Sequence, residues 1–152
     1  ISTPLIFHVL QWHEQLVDMH FMLQKEVVDR MAAEPGSRTF GRLSVMTQFR
    51  CKVTPLFDVR PESFSPIPRV CSSIVRLQPL NKPPADAGSF KNLNRVVAAA
   101  FSQRRKTLRN SLRDHLTADQ ILAAGIEPGQ RAEQLSLSQF AALARSLPYD
   151  AN

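Results

Sequence analysis

The hydrophobic positions change period along the chain, and each change predicts an element. Thr3-Pro4 precedes Leu5, Ile6, Phe7, Val9 and Leu10, which reads as the start of a buried helix, because Thr caps free amides and Pro suits the first helical position. Val17, Met19, Phe21 and Leu23 then alternate with Asp18, His20, Met22 and Gln24, the period of a strand. Lys25 to Ala33 predicts a short helix closed by Pro35-Gly36. Gly41 to Phe49 carries Leu43, Val45, Met46 and Phe49 at spacings that suit either period and is assigned to a helix. Cys51 to Val59 and Val70 to Leu77 are rich in β-formers and predict two strands, joined by the proline-laden stretch Pro61 to Pro68. Helix, strand, helix, strand, strand implies the trailing half of an α/β sheet.

Gln78 to Ser89 concentrates Pro, Asn, Asp and Gly and reads as a boundary that continues neither helix nor sheet. The expected organisation is therefore a first domain over 1–80, a linker over 81–89 and a helical domain over 90–152. In the last, Leu93, Val96, Val97, Ala100, Phe101, Leu108 and Leu112 follow the 3.6-residue period. Thr117 with Gln120, and Ser136 with Gln139, are capping boxes flanked by the staples Leu116 with Ile121 and Leu135 with Phe140. Gly125 stands where a C-terminal cap would close the first of these helices.

Nineteen Lys and Arg against thirteen Asp and Glu leave a net charge of +6 over 152 residues, a balance that favours a polyanionic partner. Hydrophobic residues at 43% are ample for a folded core. Cys51 and Cys71 lack CxxC or ligand-like spacing to the four histidines, so no disulfide framework or metal site is expected, and a reducing cytoplasm fits best. No apolar run approaches the ~18 residues of a membrane span. The chain opens at Ile1 and not at Met, and its first segment reads as the middle of a longer one.

Two constellations carry candidate chemistry. From Phe101 to Arg113 the chain holds Arg104, Arg105, Lys106, Arg109 and Arg113 without one acidic residue, which suits phosphates. The commoner fate of such a run is a solvated helix face, but the i,i+4 acidic partners of such a face are missing. On a straight helix Arg104 and Arg105 would flank the stripe of Phe101, Leu108 and Leu112, so a break near Gln103 is expected to fan both outward as a clamp. The second constellation is Ser63-Phe64-Ser65-Pro66-Ile67-Pro68-Arg69, where a stiff loop holds one aromatic ring that serves either as a core plug or as a platform for an unstacked base. His8, His13, His20 and His115 form no hydrolase or metal grouping, and five single glycines build no nucleotide loop.

Taken together, Ile1-Ser-Thr-Pro-Leu-Ile-Phe7, Asp18-Met-His-Phe-Met-Leu-Gln-Lys-Glu-Val-Val28, Gly41-Arg-Leu-Ser-Val-Met46, Phe64-Ser-Pro-Ile-Pro-Arg-Val70 and Phe101-Ser-Gln-Arg-Arg-Lys-Thr-Leu-Arg-Asn-Ser-Leu112 resemble the bacterial dimethyladenosine transferases of small-subunit ribosomal RNA, in that family's order. The resemblance implies an α/β fold: the trailing half of a Rossmann-like methyltransferase sheet followed by a small all-α C-terminal domain. It implies S-adenosylmethionine-dependent N6-dimethylation of two adjacent adenines in the 3′-terminal stem-loop of 16S RNA, during ribosome biogenesis in the cytoplasm, by a monomer partnered with the small ribosomal subunit and no membrane. The family's Asn-Leu-Pro-Tyr-Asn motif and glycine-rich cofactor loop would precede Ile1, so the chain as given is expected to be inactive alone and to hold no cofactor-binding residue. Phe64 then inherits one jaw of the clamp on a flipped adenine, with Ser65, Pro66 and Pro68 around the substrate. Arg104, Arg105, Lys106 and Arg109 inherit RNA docking, with Arg42 and Arg131 as weaker contacts. Cys71 stands where the family pattern has Asp.

Two other readings compete: an RNA-binding fragment that catalyses nothing, and an adenine N6-methyltransferase of large-subunit RNA conferring antibiotic resistance. A sheet without its leading strands is also expected to leave an unpaired edge and uncovered apolar surface.

Overall fold

A computed structural model describes residues 2–150 and divides the chain into two compact units. One comprises the chain up to Glu34 together with Leu43–Lys82; the other comprises Pro35–Arg42 together with the chain from Pro83 onward. The strap 35–42, which the sequence reading places with the first domain, therefore packs with the helical unit.

The first unit contains α1 (Ser2–Leu10), β1 (Met19–Gln24), α2 (Lys25–Ala32), most of α3 (Arg42–Arg50), β2 (Cys51–Val59) and β3 (Ser72–Pro79). Its sheet runs in the order β1-β3-β2 with both pairings antiparallel, so the last strand enters between the other two. Period-two burial on β3 puts Ser73, Val75 and Leu77 inward. Val75 and Leu77 meet Ile6 and Leu10, one turn apart on α1, and Val28 and Met31 of α2 in a single apolar cluster.

The strand limits differ from the alternation. Val17 stays 91% exposed and β1 begins at Met19. β3 begins at Ser72 because the ladder to β2 ends at Val59 opposite Ser72, which leaves Val70 in the loop. Pro55 is tolerated because β2 is an edge strand that bulges between Pro55 and Phe57. The outer sides of β1 and β2 lack strand partners among the described residues, and Met22 and Phe57, 52% and 61% exposed, both lie opposite Ile74 in register.

Below the sheet Arg50 donates to the Leu10 carbonyl at 3.0 Å and lies 2.7 Å from His13 Nδ1. Burial, and then the neighbouring guanidinium, hold the His13 pKa below its ordinary value of 6.5; burial also lowers that of Arg50. Neutral His13 accepts from Arg50, since one ring nitrogen cannot also donate to Leu10.

The helical unit contains α4 (Phe90–Phe101), α5 (Leu108–Ser111), α6 (Ala118–Ala123) and α7 (Leu137–Arg145). Ser89 caps α4 by accepting from the Asn92 amide at 3.2 Å. Both sequence-predicted capping boxes form, Thr117 with Gln120 and Ser136 with Gln139. Gly125, at φ 83°, closes α6 in a Schellman arrangement, with Ile126 N–H on the Ile121 carbonyl and Gly125 N–H on Leu122. α4 packs on α7, and the rings of Phe40, Phe101 and Phe140 meet with centroids 5.6–6.5 Å apart. Phe40 is fully buried, and this ring cluster is why the strap belongs here.

Two predictions follow from these contacts. His13 binds protons less readily folded than unfolded, so its share of stability is complete above pH 6.5 and is lost as pH falls below that value; His13→Gln should flatten the acid-side loss of the urea midpoint between about pH 7.5 and about pH 5.5. In the helical unit Phe140→Ala should cost about 3–5 kcal/mol and Ser136→Ala about 1 kcal/mol by urea denaturation; equal costs would contradict the packing described.

Candidate nucleic-acid interface

In the first unit the segment between β2 and β3 begins with a 3-10 turn, Pro61–Ser63, in which Ser63 N–H reaches the Arg60 carbonyl at 3.0 Å and Phe64 N–H reaches Pro61 at 3.1 Å. Prolines at 61, 66 and 68 fix φ and so narrow the states the loop loses on ordering. Phe64 is half-buried and lies outside the buried core; Ser65, Pro66 and Arg69 are exposed, Pro68 is half-buried and Ile67 is 65% exposed. The Ser65–Pro66 peptide is cis. At the base of the loop the Cys71 thiol donates to the Val59 carbonyl at 3.3 Å and the Cys71 carbonyl accepts from Lys25 N–H at 2.9 Å. An aromatic ring at the rim of a stiff, exposed loop is suited to stacking.

In the helical unit α4 stops at Phe101, earlier than the continuous apolar period suggests. Ser102 Oγ turns back to the Ala99 carbonyl at 2.7 Å, and the chain resumes at Leu108, whose N–H bonds to Gln130 at 2.8 Å. The break lies at the expected place, but the expected pair of outward arginines does not form. Arg104 Nη2 donates to the carbonyls of Arg38 and Phe40 at 3.1 and 3.0 Å and to Glu133 at 3.3 Å, with its guanidinium 5.7 Å from the centre of the Phe101 ring. The reason is that the strap leaves two carbonyls facing the break, and one guanidinium nitrogen, Nη2, donates to both. Gly41 makes room: a Cβ there would lie 3.2 Å from Arg104 Nη1.

Arg105, Lys106, Arg109 and Arg113 are exposed and join no ion pair among the described residues. Arg131 is exposed at the start of a 3-10 turn, Ala132–Gln134. Arg42 donates to Asn94 Oδ1 at 3.2 and 2.9 Å. The sequence reading missed Glu133, Asn94 and the strap carbonyls as partners, and nothing in local spacing announces them.

The described residues hold no group of three His, Cys, Asp or Glu able to bind a metal. Among them no helix is long and apolar enough to cross a membrane. Gly36, Gly88 and Gly125 close turns with positive φ.

The family model of the ribosomal RNA adenine dimethylases matches residues 1–148. The chain belongs to this family. It is 56% identical over 140 residues to ribosomal RNA small subunit methyltransferase A of Pseudoalteromonas translucida, covering 92% of this chain and 52% of that protein. To the same-named protein of Pseudomonas aeruginosa it is 54% identical over 147 residues, covering 97% and 55%. This member of the dimethylase family thus spans about half the length of the curated relatives it matches. A dimethyladenosine transferase from Plasmodium falciparum superposes with a TM-score of 0.75 at 26% identity, over 94% of this chain and 61% of that one. The 23S rRNA methyltransferase ErmE shares the fold, with a TM-score of 0.64 at 20% identity over 91% and 59%.

The two neighbouring arginines should separate in stability. Arg104→Ala should lower it by about 1 kcal/mol through its carbonyl bonds, while Arg105→Ala should stay within about 0.5 kcal/mol. Thermal melts of the two variants decide this, and a loss shared equally would mean that Arg104 is not the tie described.

Proposed function

We propose that this chain is the RNA-handling part of an S-adenosylmethionine-dependent enzyme that dimethylates N6 of two adjacent adenines in the 3′-terminal stem-loop of 16S ribosomal RNA, in ribosome biogenesis in the cytoplasm. Membership of the ribosomal RNA adenine dimethylases, with Phe64 at the rim of a proline-stiffened loop, carries this reading. Phe64 stacks the extruded adenine, and Ser65, Pro66 and Pro68 hold the ring in place. Arg105, Lys106, Arg109 and Arg131 meet phosphates. Arg104 and Arg42 enter with their guanidiniums already bonded within the fold, so they shape this surface and offer phosphate only their exposed edges.

S-adenosylmethionine supplies the methyl group in such chemistry. The five glycines of the chain stand singly, whereas a nucleotide-cofactor turn draws several together. The family resemblance gives the cofactor to that family's glycine-rich loop. The role of the residues here is to present and desolvate the acceptor base, which is where an amine nucleophile needs most help.

Protein carrying this sequence within the full enzyme should methylate undermethylated small subunits and leave large subunits unmodified. Phe64→Ala should lower kcat/KM about 10- to 100-fold, in keeping with the ~1–3 kcal/mol of one stacked base, and Phe64→Trp should restore most of it. Methylation of large subunits instead, or indifference to Phe64→Ala, would discard the reading in favour of the large-subunit enzyme or a non-catalytic RNA binder.

A further inference from the structure

The break after α4 leaves a recess of about 300 Å³ within the helical unit, lined by Gln103, Lys106, Asn110, Ser111, Arg113 and Asp114 among others. Its size is at the lower end of small-ligand sites, about 300–1,000 Å³, but such sites are mostly apolar and this lining is polar throughout. Lys106, Arg113 and Asp114 join no ion pair among the described residues although all three face one cavity. The Ser111 hydroxyl is buried there without a hydrogen-bond partner, which a folded chain rarely leaves so. Two free cations call for an anion. A carboxylate beside them would repel a bare one, so the ligand must also bring a hydrogen-bond donor.

We propose that this recess seats one sugar-phosphate unit of an RNA strand. Lys106 and Arg113 take the phosphate oxygens, the Gln103 and Asn110 amides add neutral donors, and Asp114 accepts from the ribose 2′-hydroxyl, the group that separates RNA from DNA. The assignment rests on the ribosomal RNA reading above and adds to it a feature that the exposed arginines do not have: discrimination of the sugar. DNA lacks the 2′-hydroxyl donor that Asp114 needs.

The test is fluorescence anisotropy of protein carrying this sequence with a synthetic RNA stem-loop and with DNA of the same sequence. Wild-type protein should prefer the RNA. Arg113→Gln should weaken RNA binding roughly tenfold and reduce the salt slope by about one, and Asp114→Asn should reduce the RNA-over-DNA preference about threefold, with DNA affinity held or raised because the carboxylate no longer repels its phosphate. The side-chain amide signals of Gln103 and Asn110 should shift in NMR spectra when RNA is added, a readout that needs no variant to fold. RNA binding by wild type that is untouched by Arg113→Gln and Asp114→Asn, with both amides unmoved, would overturn the recess and leave the RNA reading standing. Failure of wild type to bind RNA at all would overturn both. Equal loss on RNA and DNA from Asp114→Asn would overturn the assignment of sugar recognition.

Discussion

The Arg104 guanidinium holds the helical unit together at the point where its longest helix stops. One nitrogen reaches two backbone carbonyls of the strap and the Glu133 carboxylate, and the planar group lies over Phe101, whose ring touches Phe40 and Phe140. The ion pair is partly exposed and so contributes little by itself. What matters is that the strap carbonyls, turned toward the break, receive donors they would otherwise lack. A lysine offers a point charge without the planar fork, and a residue with Cβ at position 41 would press on the guanidinium.

This inward arginine determines what the remaining cations do. Once α4 ends at Phe101, the next helical turn restarts at Leu108, and the residues between are released from the 3.6-residue period. Arg105 and Lys106 are then exposed with no acidic partner among the described residues, beside Arg109 and Arg113 on the following turns. The same break opens the recess in which Lys106, Arg113 and Asp114 meet. Bonded and unbonded charge thus sit side by side in one basic run, separated by which residue finds carbonyls within reach.

Local signals in the sequence disclosed much of this. The helices, the three strands and both capping boxes follow from short-range periodicity and side-chain chemistry, where a Thr or Ser and a Gln three residues later leave few alternatives. The strand ends did not follow, because Val17 and Val70 have the same composition as the ladder and only pairing with a distant strand decides that they lie outside it. The strap was invisible for the same reason: Phe40 belongs with Phe101 and Phe140, some sixty and a hundred residues on by the numbering, and no period links them. The intrachain bonds of Arg104 were not foreseen because its partners are mainly backbone carbonyls, which every residue owns and no motif marks.

The division of chemistry among these residues also limits what each can specify. Phosphate contacts position a nucleic acid without reading its sequence, and stacking on Phe64 accepts any base because each has a π-face. Selection of adenine therefore requires hydrogen bonds to a base edge, and between Phe64 and Val70 only the Ser65 hydroxyl and Arg69 have polar side chains. The family resemblance gives that reading of the base edge to the Asn-Leu-Pro-Tyr-Asn motif, whose Asn accepts from the amine. On the proposed reading, the ring at Phe64 would grip and the amide of the family motif would discriminate, so the two would be interdependent: stacking would supply affinity that the amide alone lacks, and the amide would reject bases that the ring would hold equally well.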